Sequence, residues 1–147
     1  MEVEEHRHMN GHGIALANSS ATTKGAPAAP YSEVEPSFKH HQFTDVVLGQ
    51  EVSFEILKMN SSIYVWVGSA SRNVLENMCL AMPSRFSPQP LASTWFGETD
   101  VTSPLSQKLS KKLNKPVILS LNILDQHAVP HVEQALFNHI KNNPQHY

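Results

Sequence analysis

Ile63-Tyr64-Val65-Trp66-Val67-Gly68 and Val117-Ile118-Leu119-Ser120-Leu121-Asn122-Ile123 decide how this chain is read. Both segments carry apolar side chains at successive positions, so each strand has oily residues on both faces. A strand with one wet face would alternate apolar and polar residues. The remaining sequence offers two convincing helices, enough to cover one face of a sheet. The second face then calls for a partner, and periodicity alone points to a small α+β protein that binds another protein.

Four further strands surround these two segments. Phe43 to Leu48 reads as a strand, with a hairpin turn at Gly49-Gln50. Val52 to Lys58 alternates, with Val52, Phe54 and Ile56 on one side, and Asn60-Ser61-Ser62 is the next turn. Met78 to Met82 is a short fourth strand. The prolines of Pro83-Ser84-Arg85-Phe86-Ser87-Pro88-Gln89-Pro90 would remove ladder donors, so that segment is a loop. Leu91 to Gly97 is the fifth strand.

A helix is predicted to follow, capped by Thr102 or Ser103, with Pro104 in its first turn and Leu105, Leu109 and Leu113 along its apolar stripe. Asn114-Lys115-Pro116 ends it. A last helix spans about Ala128 to Asn142, with Pro130 in its first turn and Val132, Leu136 and Ile140 facing inward. Five strands, helix, strand, helix gives a sheet with two helices on one face, the early strands pairing antiparallel through short turns.

The 147 residues suit one domain with a modest core. Residues 1–37 are expected to be a disordered tail, because the Ala-, Ser-, Thr- and Pro-rich stretch before Pro36 buries too little to offset its ordering entropy. His6, His8 and His12 read as solvated residues there. The folded domain is expected over 38–147. Eleven basic residues stand against 13 acidic ones, which gives no broad electrostatic reason for nucleic acid or an anionic membrane as partner. No stretch approaches the roughly 20 apolar residues of a membrane helix, and Met1 to Arg7 lacks the apolar core of a secretory leader. Cys79 is the only cysteine, so an intramolecular disulfide and a multi-cysteine zinc site are excluded. A reducing compartment is expected, the cytoplasm with the nucleus as the alternative.

The chemistry-bearing residues form no catalytic motif. His127 and His131 have helical metal-ligand spacing, but only Asp125 and Glu133 lie close enough in sequence to complete a site, so neither a metal nor a cofactor is implied. Glu98 and Asp100 suit a helix start without any acid–base role. A small enzyme would have to use Cys79 with His40 or His41, against the plainer reading of a buried inert thiol. Tryptophan is enriched at the energetic centre of protein interfaces, which singles out Trp66 and Trp95. Tyr64 and Trp66 share one side of their strand; Ile63, Val65 and Val67 share the other. One set meets the helices and the other the partner, in an order the residues leave open. The interface candidates are therefore taken from both sides: Val65, Trp66, Val67, Trp95, Leu119 and Leu121. Lys108, Lys111, Lys112 and Lys115 form a basic run, either a solvated face or a dock for an acidic patch.

Taken in order, Trp66-Val67-Gly68, Asn77 through Met82, Pro90 through Thr99, and the helix exit from Leu109 into Val117-Ile118-Leu119-Ser120 resemble the proteasome assembly chaperone 4 family. The resemblance spans about Phe43 to Ile140. It implies a non-enzymatic protein with a six-stranded antiparallel sheet and two outer helices. Such a protein pairs sheet to sheet with proteasome assembly chaperone 3, and the pair promotes α-ring assembly of the proteasome core particle. The four lysines then become candidates for contact with α-subunits. A homodimeric binding module is the alternative within the same geometry.

Overall fold

The computed structural model describes residues 32–147; the tail histidines His6, His8 and His12 lie outside the described residues. Six strands form one sheet in the order β1-β2-β3-β6-β4-β5. They are β1 (Lys39–Val47), β2 (Gln50–Lys58), β3 (Ile63–Ser69), β4 (Met78–Met82), β5 (Leu91–Phe96) and β6 (Val117–Asn122), with helices α1 (Thr99–Leu113) and α2 (Val129–Asn142). No helix among the described residues is long and apolar enough to cross a membrane.

The sheet is not purely antiparallel, because β3 and β6 run parallel while every other pair is antiparallel. The connections explain this. Strand β4 takes a position one strand away from β3, and α1 then carries the chain from β5 back over β4 so that β6 fills the gap. A crossover of this length is what a parallel neighbour requires.

The β1–β2 hairpin closes at Leu48-Gly49, since Val47 faces Gln50. Both turn residues have positive φ, 50° for Leu48 and 77° for Gly49. That is the turn whose twist matches the strands, and it favours Asn-Gly. A leucine there holds a backbone that costs about 1 kcal/mol for most side chains. Leu48→Asn is therefore expected to raise stability by about 0.5–1 kcal/mol, read as a higher urea midpoint.

Helix α1 begins a turn earlier than Pro104 predicts. Glu98 is its N-cap and Pro104 lies inside it. The early start is anchored from outside the helix, because the Glu98 N–H donates to the Asn77 side-chain oxygen at 2.6 Å. Asn114 ends the helix in the left-handed conformation, φ 51°, a role asparagine fills with little strain.

Packing settles which side of the sheet is covered. Val52, Phe54, Ile56, Ile63, Val65, Val67, Val117, Leu119 and Leu121 join Leu105, Leu109, Val132, Leu136 and Ile140 in one buried cluster. Val65, Val67 and Leu119 are fully buried and Leu121 nearly so. Four of the six interface candidates are thus core residues beneath the helices, out of a partner's reach.

Candidate functional site: the uncovered face of the sheet

Side chains alternate across a strand, so the other face is built from the residues between the core positions. It carries Ser53, Glu55 and Leu57 from β2, Tyr64 and Trp66 from β3, and Ile118, Ser120 and Asn122 from β6. Strand β4 adds Met78, Leu80 and Met82, whose β5 partners are Phe96, Ser93 and Leu91.

Part of this face is closed by the chain itself. Segment 70–77 crosses it on the way from β3 to β4, past the end of β6. The Trp66 indole N–H donates to the Val74 carbonyl at 2.9 Å, leaving Trp66 only 8% exposed. Gly68 makes room for this, since a Cβ there would stand 2.5 Å from the Trp66 ring carbons. Trp66 therefore fastens the loop and does not project toward a partner.

Two asparagines hold the same segment at its far end. The Asn122 side-chain oxygen accepts the N–H groups of Glu76, at 2.7 Å, and Asn77, at 3.2 Å. Its amide donates to the Ser120 hydroxyl at 2.8 Å. Asn77 in turn donates to the Leu121 carbonyl at 3.0 Å. Gly97, at φ 82°, sits against Asn77, where any side chain would collide with it.

The remainder of the face is open. Met78, Leu80 and Ile118 are half-buried, while Met82, Leu91, Trp95 and Phe96 are all more than 40% exposed. Trp95 is the extra residue of a bulge, because Cys79 faces Thr94 while Met78 faces Phe96. Bulges at sheet edges re-aim side chains and discourage strand-to-strand addition. Two sulfur side chains, four branched or aromatic ones and an exposed indole form one apolar surface over β6, β4 and β5. That is an unusual concentration for a surface facing water.

The other candidates separate. Cys79 is fully buried and accepts a bond from the Ser106 hydroxyl at 3.3 Å. It lies on β4, whereas His40 and His41 lie on β1, four strand spacings or about 19 Å across the sheet. The thiol–imidazole constellation is not assembled. His127, just before α2, and His131, in its first turn, are both exposed, and no group of three or more metal-ligating residues occurs among the described residues. Lys108 is engaged, its ammonium 2.7 Å from Glu133 of α2. Lys111 and Lys112 stand exposed, and Lys115 is half-buried.

A histidine cluster that the sequence reading left unnoticed joins β1, α2 and the last residues. His41 stacks on His146 with centroids 3.7 Å apart, and His139 stacks on Phe43 at 3.8 Å. The ring nitrogens of His41 and His139 lie 3.3 Å apart, and His139 also bonds the Tyr147 hydroxyl at 2.8 Å. Desolvation, followed by the neighbouring imidazoles, lowers the pKa of both His41 and His139 below 6.5, and burial raises that of Tyr147. As pH falls below about 6.5, the unfolded chain takes up protons that the folded cluster resists. Stability is thus full above that value and is lost as pH falls toward the lowered folded pKa values. The thermal midpoint is expected to drop between pH 7.5 and 5.5, and to drop less in a His41→Gln, His139→Gln double variant.

Residues 51–123, from β2 through β6, match the family model of Proteasome assembly chaperone 4. Mouse Proteasome assembly chaperone 4 is 36% identical over 85 residues, which cover 56% of this chain and 68% of the relative. The human protein of that name is 35% identical over the same span. A solved structure described as a novel chaperone complex for yeast 20S proteasome assembly has the same fold. It shares 12% identity and a TM-score of 0.57, covering 73% of this chain and 98% of that one. The matched region contains the Trp66–Gly68 latch, the two loop-holding asparagines and most of the open apolar face; on the family match and the identity to these relatives, the chain belongs to the proteasome assembly chaperone 4 family.

Proposed function

We infer that this chain is a non-enzymatic assembly chaperone. It pairs through its open sheet face with a protein like proteasome assembly chaperone 3, and the pair promotes α-ring assembly of the proteasome core particle. The observation that carries this reading is the apolar surface of Met78, Leu80, Met82, Leu91, Phe96 and Ile118, left uncovered by both helices. Burying apolar area stabilises by about 25 cal/mol per Å², so a sheet face of this character drives association with a second sheet. Pairing would place α1, with Lys111 and Lys112, on the outside of the pair, where an α-subunit could meet it. The buried, reduced Cys79 suits a cytoplasmic or nuclear setting.

The test is affinity capture of the tagged full chain from cytosol, with mass spectrometry of what accompanies it. Recovery of proteasome assembly chaperone 3 and α-subunits, with little mature β-subunit, supports the assembly role. A chain recovered only with copies of itself would replace the heterodimer by a homodimeric binding module.

A further inference from the structure

The β4–β5 connection, residues 83–90, presents a phenylalanine entirely to solvent. Phe86 is 100% exposed, yet the loop around it is built to hold a shape. Pro83, Pro88 and Pro90 restrict the backbone. The Ser84 hydroxyl accepts the Phe86 N–H at 3.1 Å, and the Ser87 hydroxyl accepts the Gln89 N–H at 3.1 Å. Local side-chain bonds of this kind fix a turn that the backbone alone leaves open.

The loop is also tied to a definite side of the molecule. Gln107 of α1 donates to the Pro90 carbonyl at 2.8 Å and accepts from the Gln89 amide at 3.3 Å. That fastens the loop to the helix-bearing side, away from the open apolar face. Lys111 follows Gln107 by one helical turn and so shares its stripe. Arg85 adjoins Phe86, and neither 83–90 nor 104–115 contains an acidic residue. The charges carried by these two segments are thus all positive.

Resting on the assembly-chaperone reading above, we propose that Phe86, with the adjoining Arg85 and with Lys111 on the helix that anchors its loop, is a second docking element, which inserts into a carboxylate-rimmed apolar pocket on a proteasome α-subunit. Aromatic and arginine side chains dominate the energetics of interface centres. A preset loop loses little freedom on binding, and the basic rim would quicken encounter with an acidic surface.

The experiment uses the full chain paired with proteasome assembly chaperone 3, titrated against each purified α-subunit in turn by biolayer interferometry. For the subunit that the wild-type pair binds, Phe86→Ala is expected to weaken affinity at least tenfold. Arg85→Glu is expected to slow association, more at low salt than at high. Pair formation and the thermal midpoint should not change, since Phe86 packs against nothing within the chain. Binding of that subunit within twofold of wild type by Phe86→Ala would overturn the proposal. So would loss of pairing in that variant, which would assign the loop to the chaperone–chaperone interface. A wild-type pair that forms but binds no α-subunit would overturn the underlying α-ring reading instead, and with it the partner named here.

Discussion

Leu119→Asp is expected to leave the chain unfolded, whereas Ile118→Asp one residue away leaves it folded. Leu119 is fully buried between β6 and the helices, and the register sets it against Val65 and Cys79. A carboxylate there has no partner and loses its hydration, at an effective cost of several kcal/mol. That is comparable with the whole stability of a small domain, about 5–15 kcal/mol. Ile118 points to the open face beside Leu80, where water still reaches an added charge. Circular dichroism with a thermal melt separates the two outcomes: no cooperative transition for Leu119→Asp, and a near-native one for Ile118→Asp. Val67→Asp should behave as Leu119→Asp does, because Val67 is equally buried in the same cluster. Charging either core position thus reports on folding, and only charges on the opposite face report on pairing.

Asn122→Ala has the next largest expected effect. The Asn122 oxygen is the acceptor for two successive backbone N–H groups of the crossing segment. Its loss leaves both without that partner, and an unsatisfied buried donor costs about 1–3 kcal/mol. Partial access of water to this segment brings the expected total to about 2–3 kcal/mol. The segment also carries the Val74 carbonyl that binds the Trp66 indole. Loosening it should therefore expose Trp66 as well. A lower urea midpoint accompanied by a red shift of tryptophan emission in the folded baseline is the expected pair of signals. A lower midpoint with unchanged emission would mean that Asn122 supports stability without governing the loop.

Much of this architecture is legible in the chain. The apolar runs of β3 and β6, the alternation of β2 and the leucine stripe of α1 each have a periodicity that packing then uses. What stays hidden has identifiable causes. The first half of β1, Lys39-His40-His41-Gln42, is too polar to read as a strand; as an edge strand it needs only a few inward contacts, and those come from histidine rings. The start of α1 is masked by Pro104, which looks like a first-turn residue, while the true N-cap, Glu98, is held through its N–H by Asn77, 21 positions earlier in the chain. The parallel β3–β6 pair depends on the crossover through α1, which no local pattern reports.

The orientation of the sheet was written in β6 itself. Val117, Leu119 and Leu121 alternate with Ile118, Ser120 and Asn122, and the more polar set marks the side away from the helices. Read that way, Val65, Val67, Leu119 and Leu121 fall into the core. Met78, Leu80 and Ile118, with Leu91 and Phe96 across from β4, become the surface set. Trp95 alone among the six original candidates is both exposed and placed at the edge of the open face.

The most direct test of that face is a mass measurement on the chain mixed with purified proteasome assembly chaperone 3, by size-exclusion chromatography with light scattering. Wild type is compared with Leu80→Asp, which charges the open face at a half-buried position. A one-to-one complex for wild type, and separate folded monomers for Leu80→Asp with a near-native melt, is the expected result. A Leu80→Asp chain that pairs as wild type does would contradict the assignment of this sheet face as the chaperone interface.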